Sequence, residues 1–371
     1  MRLTVCGSFG FGNVGDEAIP LAIYDMAEKH DIPVELDILS RFDRPEMTSV
    51  VGLGEHDSER RELLKGQPII MCGGGIIEPR NVSTLLRCQK YLQPKFTPHA
   101  SLMAVSVDAG IKYGIRNNWR IRYAVRNIEK IYVRDILSEQ VLRQLLPGKS
   151  VETIGDLVLW LSPSTLDFAY DQILNDRYIA VSLAGNWNNE PSWYSWICGE
   201  LSRLSRLYEA DIVFIPMSCD ESDDDREEHR RIKNHMLHVA PDVNTILIET
   251  PLMPKTVSTY FSRAFLVVAM RLHGCVMAYA QKTPFVGISY HPKIHGFVDT
   301  VGWRKAIVPM KRPKYQSDSL YGYKFDDLNI EKSMLVSAAN YAISNGNFSS
   351  LEKYKSRIAE VFLEFIHKAY S

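Results

Sequence analysis

The sequence predicts an α/β protein built from two Rossmann-like halves that face each other across a cleft. Short apolar, β-branched runs alternate with amphipathic segments almost from end to end, which is the pattern of βαβ units and a mainly parallel sheet. The alternation restarts after a polar, proline-containing stretch, Leu161–Asp176. A chain of 371 residues with 46% hydrophobic and 23% charged residues is also long and apolar enough to fill two cores of ordinary size.

In the first half the strand candidates are Arg2–Cys6, Val34–Leu39, Pro68–Cys72, Ser101–Val105, Lys130–Val133 and Val151–Ile154. Between them, Asp16–Lys29 and Ile136–Leu146 carry apolar residues at three- and four-residue steps, the spacing of one helix face. The second half opens with Tyr178–Leu183 as a strand, Trp193–Tyr208 as a helix and Asp211–Pro216 as a strand. Thr245–Ile248, Phe265–Ala269 and Pro284–Ile288 continue the series. A last helix, Leu351–Ala369, gathers Ile358, Val361, Phe362, Phe365 and Ile366 on one face. The expected organisation is a first Rossmann-like domain over 1–165, a second over 176–345, and a C-terminal helix over 350–371. The segment Trp303–Tyr323, rich in Lys, Arg and Tyr, has no assignment.

Lys and Arg number 43 against 44 acidic residues, so no basic excess exists to neutralise a run of phosphates and nucleic acid is not an expected partner. The opening residues do not read as a secretory signal. The longest apolar tract, Ala264–Ala280, contains Arg271 and His273 and is too short and too charged to span a bilayer. The six cysteines form no C-x-x-C pair, and four lie in apolar runs, which reads as reduced core thiols. A cytoplasmic protein is expected, with peripheral association at the inner face of the membrane left open.

Gly10-Phe11-Gly12-Asn13-Val14-Gly15 matches G-x-G-x-x-G between a strand and a helix. Asp16 and Glu17 occupy the place where a dinucleotide pyrophosphate would meet the helix N-terminus, which argues against NAD. Two readings stay open: a tight turn with Asp16 as helix cap, or a binding loop for a hydroxyl-bearing ligand. A second cluster, Gly73-Gly74-Gly75, follows a buried strand. It reads either as a nest of backbone N–H groups suited to an oxyanion or as a loop squeezed between sheet and helix.

Four basic residues fall at or just beyond carboxyl ends of predicted strands: Arg134, Arg271, His273 and Lys293. Ligands of open α/β sheets bind at that edge. The first belongs to one half and the other three to the second, so they can converge across one cleft. Guanidinium, ammonium and imidazole together suit a small substrate carrying carboxylate and phosphate. Each also has a plain structural reading, such as Arg134 paired with Asp135. His229, His235 and His238 lie in a helical charge run beginning at Asp220, read as a solvated face without a complete metal-ligand set. No G-x-S-x-G elbow and no Walker A lysine is present.

These motifs, taken together, resemble the polysaccharide pyruvyl transferase family. The residues that carry the resemblance are Gly10-Phe11-Gly12-Asn13-Val14-Gly15-Asp16-Glu17-Ala18-Ile19, Gly73–Gly75 and Tyr132-Val133-Arg134-Asp135. Further on they are Phe214-Ile215-Pro216-Met217, Met270-Arg271-Leu272-His273, and Gly287-Ile288-Ser289-Tyr290 through Pro292-Lys293 to Gly296-Phe297. Members often carry an arginine after the strand opening the second half, where this chain has Ala184, so its acceptor choice is open to differ.

The resemblance implies a fold similar to GT-B glycosyltransferases, with the last helix crossing back to the first half. It implies phosphoenolpyruvate as co-substrate, no other cofactor and no metal, and a glycan or lipid-linked sugar as acceptor. The first domain, with its glycine-rich loops, is expected on the acceptor side and the second on the donor side. The implied reaction forms a ketal on two sugar hydroxyls and releases phosphate. Arg134 and Lys293 are then assigned to the donor's anionic groups and His273 to proton transfer or phosphate contact. Arg271 lies beside it. Asn13, Gly15, Asp16, Gly74 and Gly75 are substrate-binding, with Asp224 or Asp225 a further candidate. The competing expectations are a sugar-nucleotide-dependent glycosyltransferase of the same architecture and a non-catalytic glycan-binding protein.

Overall fold

The computed structural model describes residues 1–40, 52–54, 64–77, 85, 89, 91–107, 115–164, 177–185, 191–220, 223–310 and 333–371. Residues 165–176 of the expected boundary, 311–323 of the unassigned segment, and Cys88 lie outside them.

Among the described residues the first half holds β1 (Arg2–Cys6), α1 (Val14–Lys29), β2 (Glu35–Ser40), β3 (Gly52–Gly54), β4 (Ile69–Cys72), β5 (Ala100–Val105), α2 (Ile115–Ala124), β6 (Lys130–Val133), α3 (Ile136–Leu145) and β7 (Ser150–Thr153). Its strands pair in parallel in the order β3-β2-β1-β4-β5-β6-β7. The second half holds β8 (Tyr178–Ser182), α4 (Pro191–Tyr208), β9 (Asp211–Phe214), β10 (Cys219–Asp220), β11 (Asp223–Asp224), α5 (Asp225–Val239), β12 (Thr245–Leu247), α6 (Pro254–Arg263), β13 (Leu266–Ala269), α7 (Leu272–Ala280), β14 (Phe285–Ser289), α8 (Pro292–Val301), β15 (Ile307–Pro309), α9 (Met334–Ser344) and α10 (Ser349–Tyr370). Its parallel sheet runs β12-β9-β8-β13-β14-β15, while β10 and β11 pair antiparallel in a separate ribbon.

Strands covered by helices on both faces read as continuous apolar runs rather than alternating ones, and β4, β8, β13 and β14 are buried along their whole length. Strand order reverses between β1 and β4 in one sheet and between β8 and β13 in the other. Such switch points leave a crevice outside the carboxyl ends of the strands. The two crevices meet. Val14 N–H donates to the Met217 carbonyl at 2.8 Å, Cys219 N–H donates to Gly12 at 3.2 Å, and Asn13 and Ser218 form an antiparallel bridge.

The last helix leaves its own half. Arg357 on α10 grips Glu152 of β7 at 2.6 and 3.0 Å, Trp160 Nε1 donates to the Lys355 carbonyl at 3.0 Å, and the Tyr370 hydroxyl donates to the carbonyl of Arg2. Ile358, Val361, Phe362 and Ile366 are buried. A second tie joins Asp25 of α1 to Lys255 of α6 and to the Ser162 amide.

Candidate active site

The loop after β1 turns through Gly10 and Gly12, whose φ values of 82° and 73° suit glycine. Glu17, buried, accepts from Gly10 N–H at 2.6 Å, and the Asn13 side chain accepts from Gly15 N–H at 3.0 Å. The cap of α1 is therefore Asn13 and not Asp16, which lies in the first turn. Gly15 has no space beside it: a Cβ there would lie 2.1 Å from His273 Nδ1. The imidazole of the second half thus sits on the backbone of the first.

Arg134, just past β6, is buried at 3% exposure despite its charge. Its Nη2 donates to Ser106 Oγ at 2.9 Å, its Nε lies 3.4 Å from Asp135 Oδ2, and its Nη1 lies 3.6 Å from Asp156 Oδ2. Gly74 makes room for it, since a Cβ there would stand 2.9 Å from Nη1. Asp156 caps a short 3-10 turn, Leu157–Trp160, by accepting from Val158 N–H at 3.0 Å. The Oδ2 of Asp156 also lies 3.7 Å from His273 Nε2. Arg134 Nε and His273 Nε2 are buried without a hydrogen-bond partner. Such buried polar atoms are costly unless something meets them.

Burial holds the His273 pKa below that of a free imidazole; Asp156 and Asp16 oppose the shift, while Arg134 and Lys293 reinforce it. Asp16 keeps some solvent access yet lies deep between the halves. That enclosure raises its pKa against the pull of His273, Arg134 and Lys293. Lys293 stands in the first turn of α8, capped by His291, and its charge reaches both Asp16 and His273. Asp135 is likewise raised by burial, opposed by Arg134 and by the Ser138 hydrogen bonds. The structure therefore gathers Arg134, His273, Asp16, Gly15, Gly74 and Lys293 in one crevice. Gly75 adds the left-handed turn, φ 69°, that carries the loop onward.

Two expected residues are engaged elsewhere. Arg271 places its guanidinium between Asp225, at 2.6 Å, and Asp223, at 2.7 Å. Burial works against its charge, but Asp225, Tyr290 and Asp223 outweigh it and hold its pKa well above the ordinary value. Asp224 caps α5 and clasps Arg226 at 2.7 Å.

The charge run also departs from the expected solvated face. Asp225, Glu228 and His229 are buried, with His229 Nε2 accepting from Leu183 N–H at 3.0 Å. Asp225 accepts from the backbone N–H groups of Gly185, Met217 and Ser218, each at 3.0 Å. It fixes in one place the loops after β8 and β9 and the guanidinium after β13.

Sequence reasoning missed Asp156. Its signal was the one used for Arg134, a charged residue just past the carboxyl end of a strand. Among the described residues, no group of three or more His, Cys, Asp or Glu side chains is placed to hold a metal ion, and no helix is long and apolar enough to cross a membrane.

The family model for polysaccharide pyruvyl transferase matches residues 13–292, a span that includes Asn13, the triple glycine, Arg134, Asp156 and His273. The chain belongs to the polysaccharide pyruvyl transferase family. Lys293 lies one residue beyond the matched span. Solved structures resemble this member of the family over nearly its whole length. The UDP-GlcNAc 2-epimerase from Methanocaldococcus jannaschii has a TM-score of 0.60 at 12% identity, covering 98% of this chain and 100% of the other. The Neisseria meningitidis UDP-GlcNAc 2-epimerase bound to UDP-GlcNAc has a TM-score of 0.59 at 13% identity, covering 99% and 100%. At such identity the likeness concerns the fold, which is the GT-B arrangement of two Rossmann-like domains. None of the curated proteins matches the sequence.

Proposed function

We propose that this family member transfers the pyruvyl group of phosphoenolpyruvate onto two hydroxyls of a sugar in a glycan or lipid-linked precursor, forming a ketal and releasing phosphate in the cytoplasm. The observation that carries the reading is the convergence on Asp156: Arg134 from the first half and His273 from the second stand 3.6 and 3.7 Å from the same oxygen. Both present a buried polar atom with no hydrogen-bond partner.

The reaction needs an anion clamp and two proton movements. Arg134 and Lys293 supply the clamp for carboxylate and phosphate. His273, held neutral by burial, takes the proton of the attacking hydroxyl. Asp16, whose acid form burial favours, hands a proton to the donor methylene, which becomes the methyl group. The first hydroxyl oxygen bonds to the central carbon, the bond to phosphate breaks, and the second hydroxyl closes the ketal. Of the two hydroxyl protons, one balances the new methyl C–H and the other leaves with phosphate, so no redox cofactor is required. Arg271, locked between Asp223 and Asp225, serves to hold the second rim in place.

Inorganic phosphate release from phosphoenolpyruvate, measured across a panel of glycan and lipid-linked acceptors, tests this reading. Release that requires an acceptor, with a new ketal methyl signal in the product, supports it. Saturable sugar-nucleotide turnover with no response to phosphoenolpyruvate would overturn it.

A further inference from the structure

We infer that the outer face of α2 seats the protein on an anionic lipid surface. Helix α2 crosses between β5 and β6, and it buries Ile121 and Ala124 together with the following Val125. Its other side carries Arg116, Trp119, Arg120 and Tyr123, spaced i, i+3, i+4 and i+7, which is one stripe of a helix. Trp119 is 65% exposed, the largest aromatic exposure among the described residues, and Tyr123 one turn on is 45% exposed. Their rings stack at 5.6 Å, and the Arg126 guanidinium covers Tyr123 at 3.9 Å. A solvent-facing helix stripe has no reason from folding to hold an indole and a phenol.

The charge is as uneven as the apolarity. Between Asp108 and Glu129 the chain has five basic residues and no acidic one, although the whole protein carries a formal net charge of −1. Arg206, Arg230, Arg304 and Arg357 each hold a carboxylate within 2.8 Å. Arg116, Arg120, Arg122 and Arg126 hold none among the described residues; Arg122 and Arg126 reach only backbone carbonyls and the Gln93 amide.

Guanidinium groups with no carboxylate partner among the described residues, flanking exposed aromatic rings, match the headgroup layer of an anionic bilayer, where phosphates meet the cations and the amphipathic rings rest at the boundary. A second copy of this chain is a poor occupant, because a two-fold contact would set Arg116, Arg120 and Arg126 of one copy against the same residues of the other. The charge on this face is carried by flexible arginines around exposed rings, which suits a deformable anionic lipid layer.

Co-sedimentation of the full protein with phosphatidylcholine vesicles, with and without phosphatidylglycerol, tests the inference. Binding is expected only to the phosphatidylglycerol vesicles and should weaken as salt rises. Arg116→Glu/Arg120→Glu should weaken it by at least roughly 30-fold, on the basis of about fivefold per arginine lost. Trp119→Ala/Tyr123→Ala should weaken it at unchanged charge. Arg206→Glu/Arg304→Glu, which reverses two exposed but paired arginines, should bind vesicles like the wild type. Circular dichroism confirms that each variant is folded. Equal binding to neutral vesicles, or binding that the α2 variants leave intact, overturns the inference. So does retention by an RNA or an acidic polysaccharide, through the same residues, without vesicle binding.

Discussion

Replacing Gly15 by alanine probes the contact on which the proposed chemistry depends. The new methyl carbon would stand 2.1 Å from His273 Nδ1, 2.3 Å from Cγ and 2.4 Å from Cβ. Non-bonded carbon contacts settle near 3.5 Å, so His273, its Cβ included, must retreat by about 1 Å or more with the first turn of α7. A displacement of that size at a reacting group costs roughly 10²-fold in turnover. Stability should respond far less. Gly15 has no positive φ, so alanine meets no backbone strain. Overpacking of about 1–3 kcal/mol is offset in part by the better helix propensity of alanine, about 1 kcal/mol. Donor affinity should stay within a few-fold of wild type, because Arg134 and Lys293 keep their places. The assay is acceptor-dependent phosphate release, read beside phosphoenolpyruvate calorimetry and a thermal melt. Gly199→Ala in α4, where a Cβ meets nothing within 4 Å, is the control and should keep full turnover. Wild-type turnover in Gly15→Ala would refute the reasoning, because His273 would then have been displaced without consequence.

Further expectations concern charge and pH. Arg134→Ala and Lys293→Ala should each weaken phosphoenolpyruvate binding by about 1.5–3 kcal/mol; a double-mutant cycle by calorimetry should show coupling, and strict additivity would place them in separate sites. His273→Ala should lower turnover by about 10²–10⁴ without lowering the melting temperature far; the wild-type rate should fall on the acid side, below the ordinary imidazole pKa, as His273 gains a proton. Asp225→Ala leaves three buried backbone N–H groups without their acceptor and Arg271 with Asp223 alone among the described residues, and should cost about 3–5 kcal/mol in denaturant unfolding. Burial depresses the His229 pKa to about 3 from 6.5. The unfolded chain therefore binds a proton between those values that the folded chain refuses. Stability should fall as pH falls through that window by up to about 1.4 kcal/mol per unit, and a urea series should show a flatter slope for His229→Gln.

The sheets were legible because each buried strand is a short apolar run bounded by turn residues. β1 and β6 coincide with their predicted spans, and the other predicted strands differ mainly at their ends. β3, three residues of which two are glycine, and β15, three residues ending in proline, carry little strand signal, whereas the equally short β12 is extended by the apolar Ile248. The rim residues Arg134, His273 and Lys293 were legible from their place just after strands. Asp225 was legible only as an alternative to Asp224 for binding substrate. Its buried bracing role was not, although the buried positions of α5, residues 225, 228, 229, 232 and 236, follow helical spacing. Three of those five are polar, so a search for apolar periodicity passes over them. Only the fold shows that Leu183, Gly185, Met217, Ser218 and Arg271 supply their partners. Asp156 is quiet for another reason: one aspartate after a glycine looks like an ordinary turn until Arg134 and His273 close on it.

The tie between Arg357 and Glu152 joins residues 205 positions apart, so the first half is finished by chain made long after its sheet. A ribosome that has delivered β1 through β7 has delivered an incomplete domain, with Trp160 lacking the Lys355 carbonyl and a strip of apolar surface still awaiting Ile358, Phe362 and Ile366. During synthesis that strip is a holding point, where a chaperone or a neighbouring nascent chain competes with α10 for the same surface. It also means that cutting the gene at the polar stretch between the two sheets does not yield two self-sufficient parts. A first-half fragment should stay in solution only when residues 349–370 are supplied to it, as a fused helix or a separate peptide.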